Sequence, residues 1–211
     1  MIIAIDGPAA AGKGTLAKRL AKEFDFAYLD TGTLYRAVGL SLLNAGHNPL
    51  DVAKAEAASA ALDQTLFADP ALRSEATGAA ASKVASMPKI RANLLNFQQS
   101  FASSPPNNKA GAVLDGRDIG TVVCPNADLK LFVTASAEER ARRRTAEMET
   151  RGDAANYEEI LADVKARDSR DMSRADAPLR PAEDAHLLDT TELDIDAVFL
   201  RAVQLVKAAM V

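Results

Sequence analysis

A chain of 211 residues, 48% of them hydrophobic, can bury a sizeable core in one main domain with a small insertion, but it is too short for a multidomain machine. The formal net charge of -4 excludes a general nucleic-acid binder relying on a basic surface, yet nine arginines fall between Arg140 and Arg180, a local field suited to a small anionic ligand. The single cysteine, Cys124, excludes an intrachain disulfide, and with no Cys/His cluster for zinc the chain reads as a cytoplasmic protein.

The N-terminus shows no signal peptide, and no apolar run approaches the roughly 20 residues that span a bilayer. Ile2 to Ile5 are branched and apolar, end at Asp6 and Gly7, and lead into a helical pattern with Leu16, Leu20 and Phe24 on one face. Thr31 to Asn44 reads as a helix closed by Gly46, and Met87 to Phe101 as another opened by Pro88. Between them, Asp51 to Ala85 is rich in alanine and small polar residues and reads as lying outside the core. Ser103 to Gly111 has loop composition. Apolar runs at Ala112 to Leu114, Leu129 to Val133 and His186 to Leu188 read as further strands. Ser136 and Glu139 form a capping-box signature for an arginine-rich helix, and a core-packed helix from about Asp194 closes the chain. Strands alternating with helices predict an α/β fold with a parallel, doubly wound sheet, whose ligands bind at the carboxyl ends of the strands.

Gly7-Pro8-Ala9-Ala10-Ala11-Gly12-Lys13-Gly14-Thr15 satisfies G-x-x-x-x-G-K between a strand and a helix, the context of a phosphate-binding P-loop. Converging backbone N–H groups, the helix N-terminus and Lys13 suit the phosphates of ATP. Gly14 stands where most P-loops carry a metal-binding hydroxyl, which follows instead at Thr15. Asp115, closing the run Ala112-Val113-Leu114, is placed to orient metal-bound water as a Walker-B carboxylate does. The loop by itself leaves a GTPase switch, an ATPase motor and a small-molecule kinase open. A guanine-binding N-K-x-D is missing, since Asn108-Lys109-Ala110-Gly111 lacks the aspartate.

Three further segments supply what a phosphoryl acceptor requires. They are Asp30-Thr31-Gly32-Thr33-Leu34-Tyr35-Arg36, Asp115-Gly116-Arg117-Asp118-Ile119-Gly120-Thr121 and Arg167-Asp168-Ser169-Arg170-Asp171-Met172-Ser173-Arg174. In the third, a helical stripe of Tyr157, Ile160 and Val164 continues through Arg167, Asp171 and Arg174, so an apolar face turns charged where a phosphate and ribose hydroxyls would complement it. Together with the P-loop, these segments resemble the bacterial cytidylate kinases, P-loop nucleoside-monophosphate kinases, in order and spacing along nearly the whole chain.

That resemblance implies a P-loop NTPase domain over residues 1–211, with a five-stranded sheet, an acceptor-binding region at about 31–105 and a lid at about 140–170. It implies ATP-dependent phosphorylation of CMP and dCMP with Mg²⁺. ATP would be bound by Gly7 to Thr15, with Arg140 and Arg144 the lid arginines that reach it. Thr31, Tyr35, Arg36, Arg117 and Arg174 would surround the acceptor phosphate. Arg167 and Asp171 would approach the ribose, and Ser82, Arg91 and Asp118 would read the cytosine. Lys13, Arg117 and Arg174 would carry catalysis, with Asp115 on the metal through water. The acceptor is already an anion, so no general base is required, and neither His47 nor His186 is assigned a role. A monomer without nucleic-acid or membrane partners is expected. The chain departs from the longest relatives between about Leu62 and Ser82, where few β-branched residues speak against an inserted sheet and Arg73 is the candidate replacement contact. Other small-molecule kinases acting on UMP, AMP or shikimate, a nucleotide-binding switch, and a structural protein with a vestigial P-loop remain the competing readings.

Overall fold

The computed structural model describes residues 1–150 and 152–210, so Arg151, inside the expected lid, lies outside the described residues. The chain forms two compact units, one of Met1–Tyr28 with Ala102–Val211 and one of Leu29–Phe101.

The first unit is organised by a sheet of β1 (Ile2–Asp6), β2 (Ala27–Asp30), β3 (Ala112–Gly116), β4 (Leu129–Thr134) and β5 (His186–Asp189), in the order β2-β3-β1-β4-β5. The pairings of β1 with β3 and β4, and of β4 with β5, are parallel, with Ile3 opposite Val113 on one side and Leu129 on the other. The expected five-stranded parallel sheet is therefore present. Four of its strands stand out as apolar runs, while β2 does not, because Ala27 is buried and the three residues after it are half-buried.

A strand covered on both faces has no solvent side, which is why β1 and β3 lack polar alternation until Asp6 and Asp115. Ile3, Ile5, Val113, Leu129, Leu131 and Val133 form one face. Against it pack Leu16 and Leu20 of α1 (Lys13–Glu23) and Val198, Ala202 and Val206 of the terminal helix (Ile195–Ala209). Each buried leucine, isoleucine or valine among them contributes about 1.5–3 kcal/mol of burial. Half of the capping box forms: the Glu139 N–H donates to Ser136 Oγ at 3.2 Å, but the Ser136 N–H donates to Thr191 Oγ1 at 3.0 Å because the Glu139 carboxylate is engaged by Arg142 and Arg143.

The second unit is helical. It contains α2 (Gly32–Asn44), α3 (Val52–Ala60), short 3₁₀ turns at Gln64–Ala68 and Pro70–Arg73, α4 (Glu75–Val84) and most of α5 (Pro88–Ser103). Among the described residues no strand lies between 62 and 82, in line with the low β-branched content. Asp51, Asp63, Asp69 and Ser74 instead cap four successive helical segments by accepting from backbone N–H groups. The expectation that Asp51 to Ala85 lies outside the core is corrected. Ala55, Leu72, Ala80 and Val84 are all buried, because small residues let α2 and α4 approach closely. At Gly39 an added Cβ would lie 3.0 Å from Ala80 Cβ.

The remaining helices of the first unit are α6 (Ala137–Thr150) and α7 (Tyr157–Ser173), followed in chain order by α8, the terminal helix. Ala141, Ile160 and Val164 form the seam between α6 and α7.

Candidate active site

The phosphate loop follows β1 without a break. Gly7 sits at φ +146°, where an added Cβ would lie 1.9 Å from the Val133 carbonyl oxygen, so only glycine fits. Gly12, at φ +87°, is the N-cap of α1 and makes no side-chain cap, which leaves the first-turn N–H groups directed at a ligand. Lys13 is 6% exposed and donates to the Pro8 carbonyl at 2.8 Å. Burial lowers its pKa to about 7, and Arg117 and Arg167 push in the same direction while Asp115 and Asp6 oppose them. The cations Lys13, Arg117 and Arg167 thus share one field. A polyphosphate is its natural complement.

The missing hydroxyl of the loop has a structural counterpart. An added Cβ at Gly14 would lie 3.5 Å from Asp115 Oδ2 and 3.8 Å from the Tyr28 hydroxyl, so the position faces a buried carboxylate. The Tyr28 hydroxyl donates to Asp115 Oδ1 at 3.2 Å and orients it.

Beside β3 lies a cluster of opposed charges. Arg117 donates through Nε to Asp171 Oδ2 at 2.9 Å and through a guanidinium nitrogen to the Gly116 carbonyl at 3.1 Å. Burial alone would raise the Asp171 carboxyl, but Arg117, Arg167 and Arg174 outweigh it and hold the group below the usual carboxylate range. Arg174, the C-cap of α7, donates to the Ala177 carbonyl at 2.6 Å and stands 3.9 Å from Asp118 Oδ1. The charged end of the helical stripe therefore converges as its spacing implies, on Asp171, a buried residue of the last turn of α7.

The helix after β4 distributes its arginines by face. Arg140 is 4% exposed and forms a bidentate pair with Asp168 at 3.0 and 2.5 Å. It also donates to the Ala135 carbonyl at 2.9 Å and to that of Ala9, in the phosphate loop, at 3.3 Å. Arg144 is half-buried. Arg142 and Arg143 line a cavity of about 440 Å³ together with Ala11, Gly12, Thr15, Glu139, Thr190 and Ile195. The sequence reading missed this cavity. Its signal was Glu139, three and four residues before Arg142 and Arg143, which holds both guanidinium groups at 2.7–2.8 Å.

In the second unit, Arg36 donates to the Leu72 and Ser74 carbonyls at 3.0 and 3.4 Å and lies over Gly78, where a Cβ would come within 3.2 Å of it. Arg91 is buried, donates to the Ala85 carbonyl at 3.4 Å and lies 5.8 Å from the Tyr35 ring centroid. Thr31 is buried at the N-cap of α2. Ser82 is 8% exposed, and its Oγ makes no hydrogen bond to protein. Arg73 pairs with Asp30 at 3.4 Å on the surface.

The family model for cytidylate kinase matches residues 3–208, essentially the whole chain. The cytidylate kinase of Rhodopseudomonas palustris strain BisA53 is 56% identical over 208 residues, covering 99% of this chain and 97% of its own. That of Paramagnetospirillum magneticum is 58% identical over 205 residues, covering 97% of each chain. The chain belongs to the cytidylate kinase family. It is a phosphotransferase that phosphorylates CMP with ATP as donor. The crystal structure of TT1252 from Thermus thermophilus has the same fold at a TM-score of 0.51, with 24% identity, 100% coverage of this chain and 98% of that one.

Proposed function

We propose that this cytidylate kinase transfers the γ-phosphoryl of ATP in line to a phosphate oxygen of CMP or dCMP, through Lys13, Arg117 and Arg174, without a general base. The observation that carries this reading is the depressed pKa of buried Lys13, which Arg117 and Arg167 lower further although Asp115 and Asp6 oppose them, because facing phosphates would relieve that burial and repulsion. Gly7 to Thr15 cradle the donor phosphates, with Arg144 as a lid contact. The cavity bordered by Arg142, Arg143 and Thr190 takes the donor base, since it opens from Gly12 and Thr15 of the phosphate loop. Arg140 acts at the donor chiefly by bracing the Ala9 carbonyl and Asp168.

The acceptor phosphate is bound by Thr31, Tyr35, Arg36, Arg117 and Arg174, and the ribose by Arg167 and Asp171. Ser82, Arg91 and Asp118 read the cytosine. A carboxylate accepting from the exocyclic amine favours cytosine over uracil, and the buried Ser82 hydroxyl is a donor and acceptor suited to the same edge. Residues 31–105 then serve as the acceptor-binding region and 140–170 as the lid, which excludes water during transfer.

Mg²⁺ fits the donors present. Asp115 is one oriented carboxylate, no group of three or more His, Cys, Asp or Glu residues suited to a metal occurs among the described residues, and magnesium bound largely by phosphates and water needs no more. When bound, it would neutralise charge on the transferring phosphates, with Asp115 holding one of its waters and Gly14 leaving room beside that carboxylate. No helix among the described residues is long and apolar enough to cross a membrane. We take the enzyme to act as a cytoplasmic monomer without nucleic-acid partners.

A coupled ADP-release assay with Mg²⁺ across CMP, dCMP, UMP, AMP and shikimate tests the acceptor. Rapid turnover with CMP and dCMP and poor turnover with the others is expected. Inactivity with both cytidine nucleotides would sink the assignment.

A further inference from the structure

Asp6 is the last residue of β1, 4% exposed, and is assigned no contact with either substrate, its one part in the chemistry above being to oppose the lowering of the Lys13 pKa. Its carboxylate spans two consecutive amides from a distant part of the chain: Ile119 N–H donates to Oδ1 and Gly120 N–H to Oδ2, both at 2.7 Å. Those amides open the single π-helical turn Ile119–Val123, whose N-cap is Asp118. Aspartate at an N-cap ordinarily folds back to accept from the first amides of its own helix. Asp118 makes no such bond, and its carboxylate stands 3.9 Å from Arg174 instead. The turn is also fitted to this arrangement. A Cβ at Gly120 would lie 3.1 Å from the Lys130 side chain and 3.4 Å from Asp6 Oδ2.

We propose that Asp6 is a positioning residue for the acceptor site: by capping the Ile119–Val123 turn from the neighbouring strand, it relieves Asp118 of self-capping and keeps the Asp118 carboxylate turned toward Arg174 and the acceptor base. Without Asp6, the amides of the turn would recruit Asp118, the nearest carboxylate in the chain. The strand that starts the phosphate loop thereby sets the geometry that selects the acceptor. The inference rests on the assignment of Asp118 to the cytosine.

The charged environment gives a second handle. Burial raises the Asp6 pKa to about 6, against the lowering effect of the two amides, with Asp118 adding to the rise and Lys13 opposing it. Cys124, whose thiol is raised by burial and by Asp6, also faces it, and Lys130, paired with Asp184, lies against the same Gly120. Protonation of Asp6 weakens the cap, so wild type should lose acceptor affinity as pH falls through 6. The acceptor phosphate titrates in the same range, and the Asp6→Asn variant is the control that subtracts it.

Asp6→Asn places an amide NH₂ against one backbone N–H at nearly constant volume. The expected result is a rise in KM for CMP of about tenfold, with a rise of under about threefold in the Kd of a non-hydrolysable ATP analogue, since Asp6 also supports the charge on Lys13. The double variant with Asp118→Asn should be no worse than the poorer single variant, because both act through one carboxylate. Additive losses, or a parallel loss of ATP-analogue affinity, overturn the proposal. NMR of the wild-type protein needs neither the acceptor assignment nor a folded variant. The Ile119 and Gly120 amide resonances should titrate together with a midpoint near pH 6, and amides indifferent to pH there would remove the cap itself.

Discussion

Single residues in this protein divide according to whether folding or ligand binding accounts for their burial. Ser82 is the clearest case of the second kind. A buried hydroxyl without a hydrogen-bond partner is a cost to the fold, so removing it should leave stability unharmed. Ser82→Ala is therefore expected to melt within about 2 °C of wild type, while a lost hydrogen bond to the base, about 1–2 kcal/mol, raises KM for CMP about 5- to 30-fold. Steady-state kinetics beside a thermal melt check it, and a stability loss with unchanged KM would return Ser82 to a structural role. Arg140 is of the first kind. Its pair with Asp168 is buried, so Asp168→Ala leaves an uncompensated guanidinium and is expected to cost about 3–5 kcal/mol by urea titration. Adding Arg140→Met should recover a good part of that loss.

Elements show which of these roles the sequence could reveal. The α7 stripe was legible because one period of 3.6 residues governs it from Tyr157 to Asp171, and strand, glycine loop and α1 were legible because their signal is contiguous. Arg140 and Asp168, 28 residues apart, and Asp6 and Gly120, 114 apart, meet through tertiary contacts that periodicity does not record. The alanine-rich stretch misled for a related reason. Alanine carries little burial energy of its own, and the core position of α4 comes from how closely it lets two helices approach. Gly39 marks that approach, so Gly39→Val, which forces atoms against the Ala80 backbone, is expected to cost about 1–3 kcal/mol from overpacking. The comparison to make is the urea midpoint with that of Gly39→Ala, whose single methyl should cost less. Equal stabilities across the series would mean the α2–α4 contact has slack that the 3.0 Å spacing denies.

For the whole molecule, the phosphate loop is a place where stability is given up in the absence of ligand. Lys13 has a native pKa of about 7, below its unfolded 10.5, so the unfolded chain holds this proton more tightly and stability from this group falls as pH drops from 10.5 toward 7. Asp6 behaves oppositely. Its native pKa of about 6 lies above 3.8, so the native chain holds the proton more tightly and stability falls as pH rises from about 4 to 6. Near neutrality both buried charges therefore count against the fold, and a polyphosphate against Lys13 relieves the larger of them. Lys13→Met removes that cation with similar volume. It is expected to melt several degrees above wild type at pH 7 without nucleotide, with the gap narrowing as pH rises to 9.5 because the unfolded chain's advantage in holding the Lys13 proton shrinks toward pH 10.5. With saturating ATP and Mg²⁺ the gap at pH 7 should shrink, since ligand at about 100 times its Kd adds about 2.7 kcal/mol to a competent wild type and little to the variant. Scanning calorimetry at pH 7 and 9.5, with and without nucleotide, gives all four values, and a gap that does not depend on pH would mean Lys13 is charged in the folded protein throughout.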